Sequence, residues 1–538
     1  MTTAPGPESR RLRVSHGALT IPALAALLLA GCSGDRAPSW PTDNSLVVAL
    51  ENAPIQLDPR IGTDQASGRV YEVIFSGLLT KDTSGNLIPD LAESWEILDD
   101  GRRYRFRLRT GVTFHDGRAL GSADVVYTFQ TMIDREVVTP KLGGLPQLVG
   151  VEAVDPRTVD FHLSEPYGAL MPNLTCFLGI IPAGSTTEEL NRSPTGSGPF
   201  RFVSRTPDTV TVEPFDDYWE GRPPLDRLVL RTVPDDTVRI LELRKGSVQL
   251  VADPLPDVVP MFRRSPHYQV IENPGSNYAY LGVNLEDPIL ADPAVRRAIA
   301  LSLDRQLLID TLWNRLGLLT ETMIPPGHWA RNNALEPIPH DVEAARRLLD
   351  EAGYPDPDGE GPEPRFRLTI KTSIKERYVL QAQIIQAMLA ETGIELEIRS
   401  YEFATFYSDI KRGSFQLFTL IWTGIVDPDI YSLTLHSARV PPAGANRGRY
   451  RNPAFDRLIE LGARRTLLAE RRPPYLEAQE ILARDLPYIS LYTKINVALA
   501  AAGLEGYRNY PSGELYSLKD VRWSAARADG DPPSAPTS

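Results

Sequence analysis

Between residues 366 and 398 the chain spells out a strand, a helix and a second strand, and this order limits the fold more than any other stretch. Phe366, Leu368 and Ile370 alternate with other residues, 378–391 carries helical spacing, and Ile394, Leu396 and Ile398 alternate again. Two strands joined through a helix over about 35 residues form a βαβ unit, with a parallel pair and a right-handed crossover. A parallel pair needs helices covering the sheet, which makes the fold class α/β.

The neighbouring sequence agrees. Asp292-Pro293 supplies a helix cap and a first-turn proline, and Val295, Ala298, Ile299 and Leu303 then share one face. Asp341 caps a second helix with Ala345, Leu348, Leu349 and Ala352 inward, ended by Gly353. The first half is strand-rich instead. Leu46–Leu50 is a buried run, and Thr209–Glu213, Leu228–Arg231 and Tyr278–Leu285 are short strands. Tyr104, Phe106 and Leu108 alternate with Arg103, Arg105, Arg107 and Arg109, giving a strand with one buried and one wet face. Gly506–Trp523 is non-helical again and is expected to return to the first lobe. A length of 538 residues allows three or four lobes.

Charge and composition narrow the function. The net charge is −12, with no basic block, which argues against nucleic acid. Two cysteines, Cys32 and Cys176, form no CxxC pair. No GxSxG, HExxH, GxxxxGK[ST] or GxGxxG is present, and the histidines beyond the leader make no close pair at metal-ligand spacing. No catalytic residue, metal site or cofactor is expected. A hydrolase with acids remote in sequence has no positive support.

The amino terminus reads as an address. Arg10, Arg11 and Arg13 precede an apolar run from Gly17 to Ala30, too short for the roughly 20 residues of a spanning helix. It ends Leu29-Ala30-Gly31-Cys32, which resembles the lipobox of bacterial lipoproteins, with Cys32 the lipidated residue. Several acyl chains would give stable anchoring. Removing residues 1–31 takes away three arginines and one glutamate and moves the net charge from −12 to −14. Residues 32–44 read as a polar, proline-rich tether. Cys176, left alone, reads as a buried small hydrophobe, and residues 526–538 as a disordered tail.

A series of short motifs then runs in one order along most of residues 45–525. It comprises Leu57-Asp58-Pro59, Ser76-Gly77-Leu78-Leu79, Pro89-Asp90-Leu91-Ala92-Glu93-Ser94-Trp95 and Gly111-Val112-Thr113-Phe114-His115-Asp116-Gly117. After these come Gly196-Ser197-Gly198-Pro199-Phe200, Tyr218-Trp219, Leu348-Leu349 with Ala352-Gly353-Tyr354, Trp422 with Asp427-Pro428, and Asn452-Pro453-Ala454-Phe455-Asp456. In this the chain resembles the family 5 extracellular solute-binding proteins, the peptide and nickel class that serves ABC importers.

The resemblance implies a two-lobed, periplasmic-binding-protein-like α/β fold with an inserted domain. Lobe I would hold 45–82, 197–282 and 500–525, the insert 83–196, and lobe II 283–499. It implies a monomer in the cell envelope, facing the periplasm or the exterior. Such a protein takes up peptides, or another solute such as an opine, oligosaccharide, haem or metal chelate, and passes them to permease and ATPase subunits. A peptide-signal sensor is the other role. His115 reads as a turn hydrogen-bonder, and Trp95 and Trp219 as packing between lobes.

In peptide-binding relatives the segment around Trp422 lines the cleft, with an aspartate three residues after the Trp holding the ligand's amino group. Here that position is Ile425, and Asp427 is the candidate substitute, with a turn cap as its other reading. Trp422, Thr423 and Gly424 are expected at the ligand. Asp64, Gln65 and Ser67 follow the Leu57-Asp58-Pro59 turn, and Tyr278 precedes a hinge strand. Arg447 and Arg449 are candidates for a ligand carboxylate, since guanidinium suits bidentate pairing.

Overall fold

The computed structural model describes residues 38–359 and 361–524. The leader, Cys32, most of the tether and the tail lie outside them, as does the side chain of Cys176. Residues 39–524 fall within one compact unit. It is a two-lobed α/β structure carrying an extra four-stranded domain.

In chain order, β1 (Ser45–Leu50) is followed by helix α1 (Gln65–Ile74). The insert contributes β2 (Ala92–Leu98), β3 (Arg103–Leu108), β4 (Leu148–Asp155) and β5 (Thr158–Leu163). Then come β6 (Phe200–Arg205), β7 (Thr209–Pro214), β8 (Arg227–Thr232), β9 (Leu250–Ala252) and the long β10 (Tyr268–Val283). The second lobe holds α2 (Pro293–Ser302), α3 (Val342–Glu351), β11 (Phe366–Ser373), α4 (Glu376–Ala390), β12 (Ile394–Tyr401), α5 (Phe403–Arg412) and β13 (Leu417–Trp422). Helices α6 (Pro453–Arg464) and α7 (Leu468–Asp485) lead into the long β14 (Tyr488–Ala501).

One sheet runs through both lobes in the order β12-β11-β13-β10-β14-β9-β1-β8-β7-β6. The expected βαβ unit is there: β11 and β12 are parallel, Phe366 opposite Ile394 through Ser373 opposite Tyr401, with α4 between. The caps form as read. Asp292 accepts from the Ala294 amide and Asp341 from the Ala344 amide, both at 2.8 Å.

The lobe boundary differs from the expectation. Neither 282/283 nor 499/500 is a border, because β10 and β14 each belong to both lobes. Tyr268–Pro274 of β10 pairs with 495–501 of β14, beside β9. Its other half, Tyr278–Val283, pairs with β13 and with 488–493. The register breaks between Pro274 and Tyr278, so the only sequence interruption, Pro274-Gly275, is a bulge and not the start of the strand. The tether is also shorter than expected. Trp40 packs edge-on against Tyr268, ring centroids 5.9 Å apart, because an indole that reaches an apolar surface is held there.

The insert is the antiparallel sheet β2-β3-β5-β4. Tyr104, Phe106 and Leu108 are buried in its core, and the arginine row faces outward, where Arg103 and Arg105 pair with Asp160. Trp95 packs on this core and not between lobes, since β2 lies inside the insert sheet. Trp219 does bridge: it packs on the insert core and stacks under Arg109, 4.4 Å from the ring centroid. His115 ties the insert back to the loop at its far end. Its Nε2 lies 3.0 Å from the Gly198 carbonyl, and the Gly196 amide donates to Nδ1 at 3.3 Å. The C-terminal block returns to the first lobe: Leu504, Leu515, Leu518 and Val521 join the core of β1 and α1, and the Trp523 indole donates to the Ser45 carbonyl at 2.9 Å.

Candidate functional site: the cleft between the lobes

A cavity of about 900 Å³ opens between the lobes. Helix α1 forms part of its first wall. Asp64 caps the helix by accepting from the Ser67 amide at 2.8 Å, and Ser67 Oγ accepts from the amides of Ile55 and Gln56, each at 3.0 Å. Those two side chains therefore hold the loop and do not reach the cleft, contrary to the expectation that both meet the ligand. Gln65 does reach it, with Gly68, Arg69 and Glu72. Positions 65, 68, 69 and 72 share one face of a helix. The three-and-four spacing from Gln65 is the sequence signal for Arg69 and Glu72, two wall residues that motif matching alone does not single out.

The opposite wall is β13 and the loop after it. Thr419, Ile421 and Thr423 alternate toward the cavity, with Leu420 also at its border, followed by Gly424 in a left-handed conformation (φ 66°) and by Val426. The same alternation sends Phe418 and Trp422 to the other face. Trp422 packs on the core of Tyr280 and Phe418 beneath the Arg447 guanidinium, 4.7 Å from its ring centroid. So Thr423 and Gly424 stand at the cavity and Trp422 supports them from behind.

Four more expected residues are occupied elsewhere. Tyr278 is buried, bonded to Ser490 Oγ at 2.7 Å, and borders a separate small pocket of about 20 Å³. Arg447 is a buried strut that donates to the hydroxyls of Tyr280 (3.1 Å) and Tyr407 (2.9 Å). Arg449 pairs with Glu286 at 2.9 Å and donates to the carbonyls of Arg447 and Arg412. Asp427 is buried against Arg471, with two charge-assisted bonds of 2.7 and 3.0 Å, and it also accepts from the Asp429 amide. It is a turn cap locked in an ion pair and is not part of the cavity lining. Ile425 is buried as well, with its amide bonded to the Ser276 carbonyl.

The rest of the wall mixes apolar side chains, among them Phe177, Leu178, Trp313, Phe403 and Phe406, with polar ones. The inner part of the crossing strands presents Asn277, Asn496 and Lys494, and the returning C-terminal block presents Asn509, Ser512 and Glu514. Lys81 pairs with Glu514 at 2.8 Å and Lys494 with Asp253 at 3.8 Å. Lys141, from the insert, lies 3.7 Å over the Phe177 ring and donates to the Pro59 carbonyl at 2.6 Å. Glu72 accepts from the Leu515 amide at 2.6 Å, and burial, helped by the charge of Glu514, pushes its carboxyl up to about 8.

Beyond the cavity the insert clasps the second lobe. The Gly168 amide donates to the Ala463 carbonyl, and Arg471 Nη1 donates to the Gly168 carbonyl at 3.0 Å. The Tyr167 hydroxyl donates to Asp429 at 3.1 Å. On the insert's own sheet Glu152, Asp160 and His162 bring ligand atoms within 4.8 Å of one another, but Asp160 already serves Arg103 and Arg105. No described helix is long and apolar enough to cross a membrane.

Residues 86–440 match the family described as bacterial extracellular solute-binding proteins, family 5 middle. The chain is 30 % identical over 536 residues to heme-binding protein A of Haemophilus influenzae, covering 91 % of this chain and 96 % of that one. It is 31 % identical over 479 residues to a probable di/tripeptide-binding protein of Pseudomonas aeruginosa (82 % and 88 % covered). Among solved structures, HbpA2 of Haemophilus parasuis superposes with a TM-score of 0.81 at 27 % identity, covering 89 % of this chain and all of that one. The oligopeptide-binding protein AppA of Bacillus subtilis, in complex with a nonapeptide, gives 0.68 at 25 % identity (91 % and 100 %).

Proposed function

The chain belongs to the family 5 bacterial extracellular solute-binding proteins, and from that premise we propose that it captures short peptides in the interlobe cleft and delivers them unchanged to an ABC permease and its ATPase. It acts outside the cytoplasmic membrane, anchored through lipid on Cys32. The family consists of solute-binding proteins, which supports a role without turnover.

The observation that carries this reading is the cavity. At about 900 Å³ it is at the upper end of small-molecule sites and has room for a di- or tripeptide with water. Amides and hydroxyls (Gln65, Asn277, Asn496, Asn509, Thr419 and Thr423) are set among apolar side chains on its walls, and they can bond peptide amides regardless of side chain. The solute would meet both lobes at once, so binding favours the closed arrangement. The register break in β10 is the candidate pivot.

The test is mass spectrometry of material released from the purified, folded protein, together with thermal melts in the presence of defined peptides. A mixed population of short peptides, and a melting temperature that rises with peptide concentration, is the expected result. A single non-peptide species with no response to any peptide would overturn the peptide assignment, and product formation would overturn the transport role.

A further inference from the structure

Among the described residues each cation on the cleft wall but one has a hydrogen-bonding or ion-pair partner. Lys81 has Glu514, Lys494 has Asp253, and Lys141 has the Pro59 carbonyl. Arg69 differs. It is 4 % exposed, it lines the cavity, and its Nε is buried without a partner. No hydrogen bond or ion pair to it is found among the described residues. Glu51, Glu72 and Tyr507 are near enough to feel its charge but form no hydrogen bond or ion pair with it. Glu72, the nearest in sequence, sits at about 8 because of burial and is mostly uncharged at neutral pH.

A buried guanidinium without an anion is unfavourable unless something completes it. The surroundings leave space for that. Gly513, with φ at 78°, faces Arg69: a Cβ there would lie 3.8 Å from Nη2 and 3.5 Å from the Gln65 amide nitrogen. Across the helix, a Cβ on Gly68 would press on the Phe177 ring at 3.2 Å. The missing side chain at Gly513 leaves that side of the guanidinium open. Among the described residues the wall leaves no ionised, unpaired carboxylate for a cation: Glu514 and Asp253 are paired, Glu72 accepts from the Leu515 amide and is raised to about 8 by burial, Asp427 is committed to Arg471, and Ile425 is buried.

We propose that the solute held in this cleft presents a carboxylate to Arg69, in a bidentate pair, and that a free ammonium group is dispensable. This rests on the reading of the cleft as the solute site and deepens it: the preferred ligands are acids whose amino end is blocked or absent, N-acylated short peptides among them. Arg69 is the binding residue for the acid end, a task Lys cannot copy, since only guanidinium offers two parallel donors to one carboxylate.

The test is titration calorimetry of the purified full-length protein with four forms of trialanine: free, N-acetylated, C-amidated and blocked at both ends. The N-acetylated peptide should bind within about three-fold of the free peptide, and the C-amide should lose about 30-fold or more, the usual scale for stranding a buried charge. In Arg69→Gln the acid and the amide should bind alike, and Arg69→Lys should restore only part of the difference. Because the acid-to-amide comparison is made on the wild-type protein, it holds even if a variant folds poorly. Equal binding of acid and amide by the wild type overturns the proposal, as does a difference that survives in Arg69→Gln. If no form binds, it is the peptide reading that fails, and the carboxylate assignment is then read from native mass spectrometry of the co-purified solute. An acid lost from Arg69→Gln supports it, and a neutral or cationic solute kept at full occupancy overturns it.

Discussion

Replacing Asp427 by Asn separates a structural ion pair from a ligand anchor. Arg471 is 2 % exposed and Asp427 8 %, and they share two bonds of 2.7 and 3.0 Å. The guanidinium also donates to the carbonyls of Gly168 and Gly462 and lies 5.0 Å from the Trp329 ring centroid, so it cannot swing out to water without giving up these contacts. Asp427→Asn keeps the shape and removes the charge, which leaves Arg471 buried and uncompensated. The expected cost is about 3–5 kcal/mol. Arg471→Met strands the carboxylate and should cost about as much. The double variant should be more stable than the sum of the singles implies, because neither charge is then stranded. Urea unfolding of the four proteins measures this. Solute affinity, titrated where every variant is folded, should stay within about three-fold, since Asp427 is not on the cavity wall. If Asp427→Asn is as stable as the wild type but binds a free-amine peptide ten or more times more weakly, the ion-pair reasoning is wrong and Asp427 does hold the ligand.

Three more outcomes follow from the same contacts. Burial lowers the His115 imidazole to about 4, below its unfolded value of about 6.5, so the unfolded chain takes up the proton first and stability falls with pH across that window. Relative to His115→Gln, the wild type should lose about 2 kcal/mol between pH 7 and pH 5 in urea titrations; parallel pH curves would refute this. Gly168→Ala would place a Cβ 2.2 Å from the Arg465 carbonyl oxygen, so the insert should detach from the second lobe; small-angle scattering with saturating solute should show a larger radius of gyration than the wild type, and an unchanged radius would count against the clasp. Cys32→Ala should abolish metabolic labelling by a palmitate analogue and release the protein from washed membranes, whereas retention would refute the lipid anchor.

Much of the fold is written in local patterns. Alternation at 366–370 and 394–398, helix spacing between them, and the caps at Asp292 and Asp341 each act within a few residues, so the sequence carries them openly. The first ten residues of β10 are hidden because Pro274 and Gly275 look like an end, while pairing with β14, more than two hundred residues away, holds the strand together. The site is less legible. Gln65, Thr423 and Gly424, singled out through the family resemblance, line the cavity, whereas Trp422, singled out with them, packs on the core, because the face it takes on its strand depends on where that core lies. Asp427 looks like an anchor because its partner, Arg471, is 44 positions away and nothing local announces it. Arg69 and Glu72 lie on the helical face already marked by Gln65, one and two turns further along.

The clasp between insert and second lobe is made from the Gly168 peptide group, a tyrosine hydroxyl and an arginine, none of which touches the cavity wall. Whatever cargo is inside, this latch engages the same atoms. Cargoes therefore differ only in what they add within the chamber, while the rim shown to a docking partner keeps one shape for all of them.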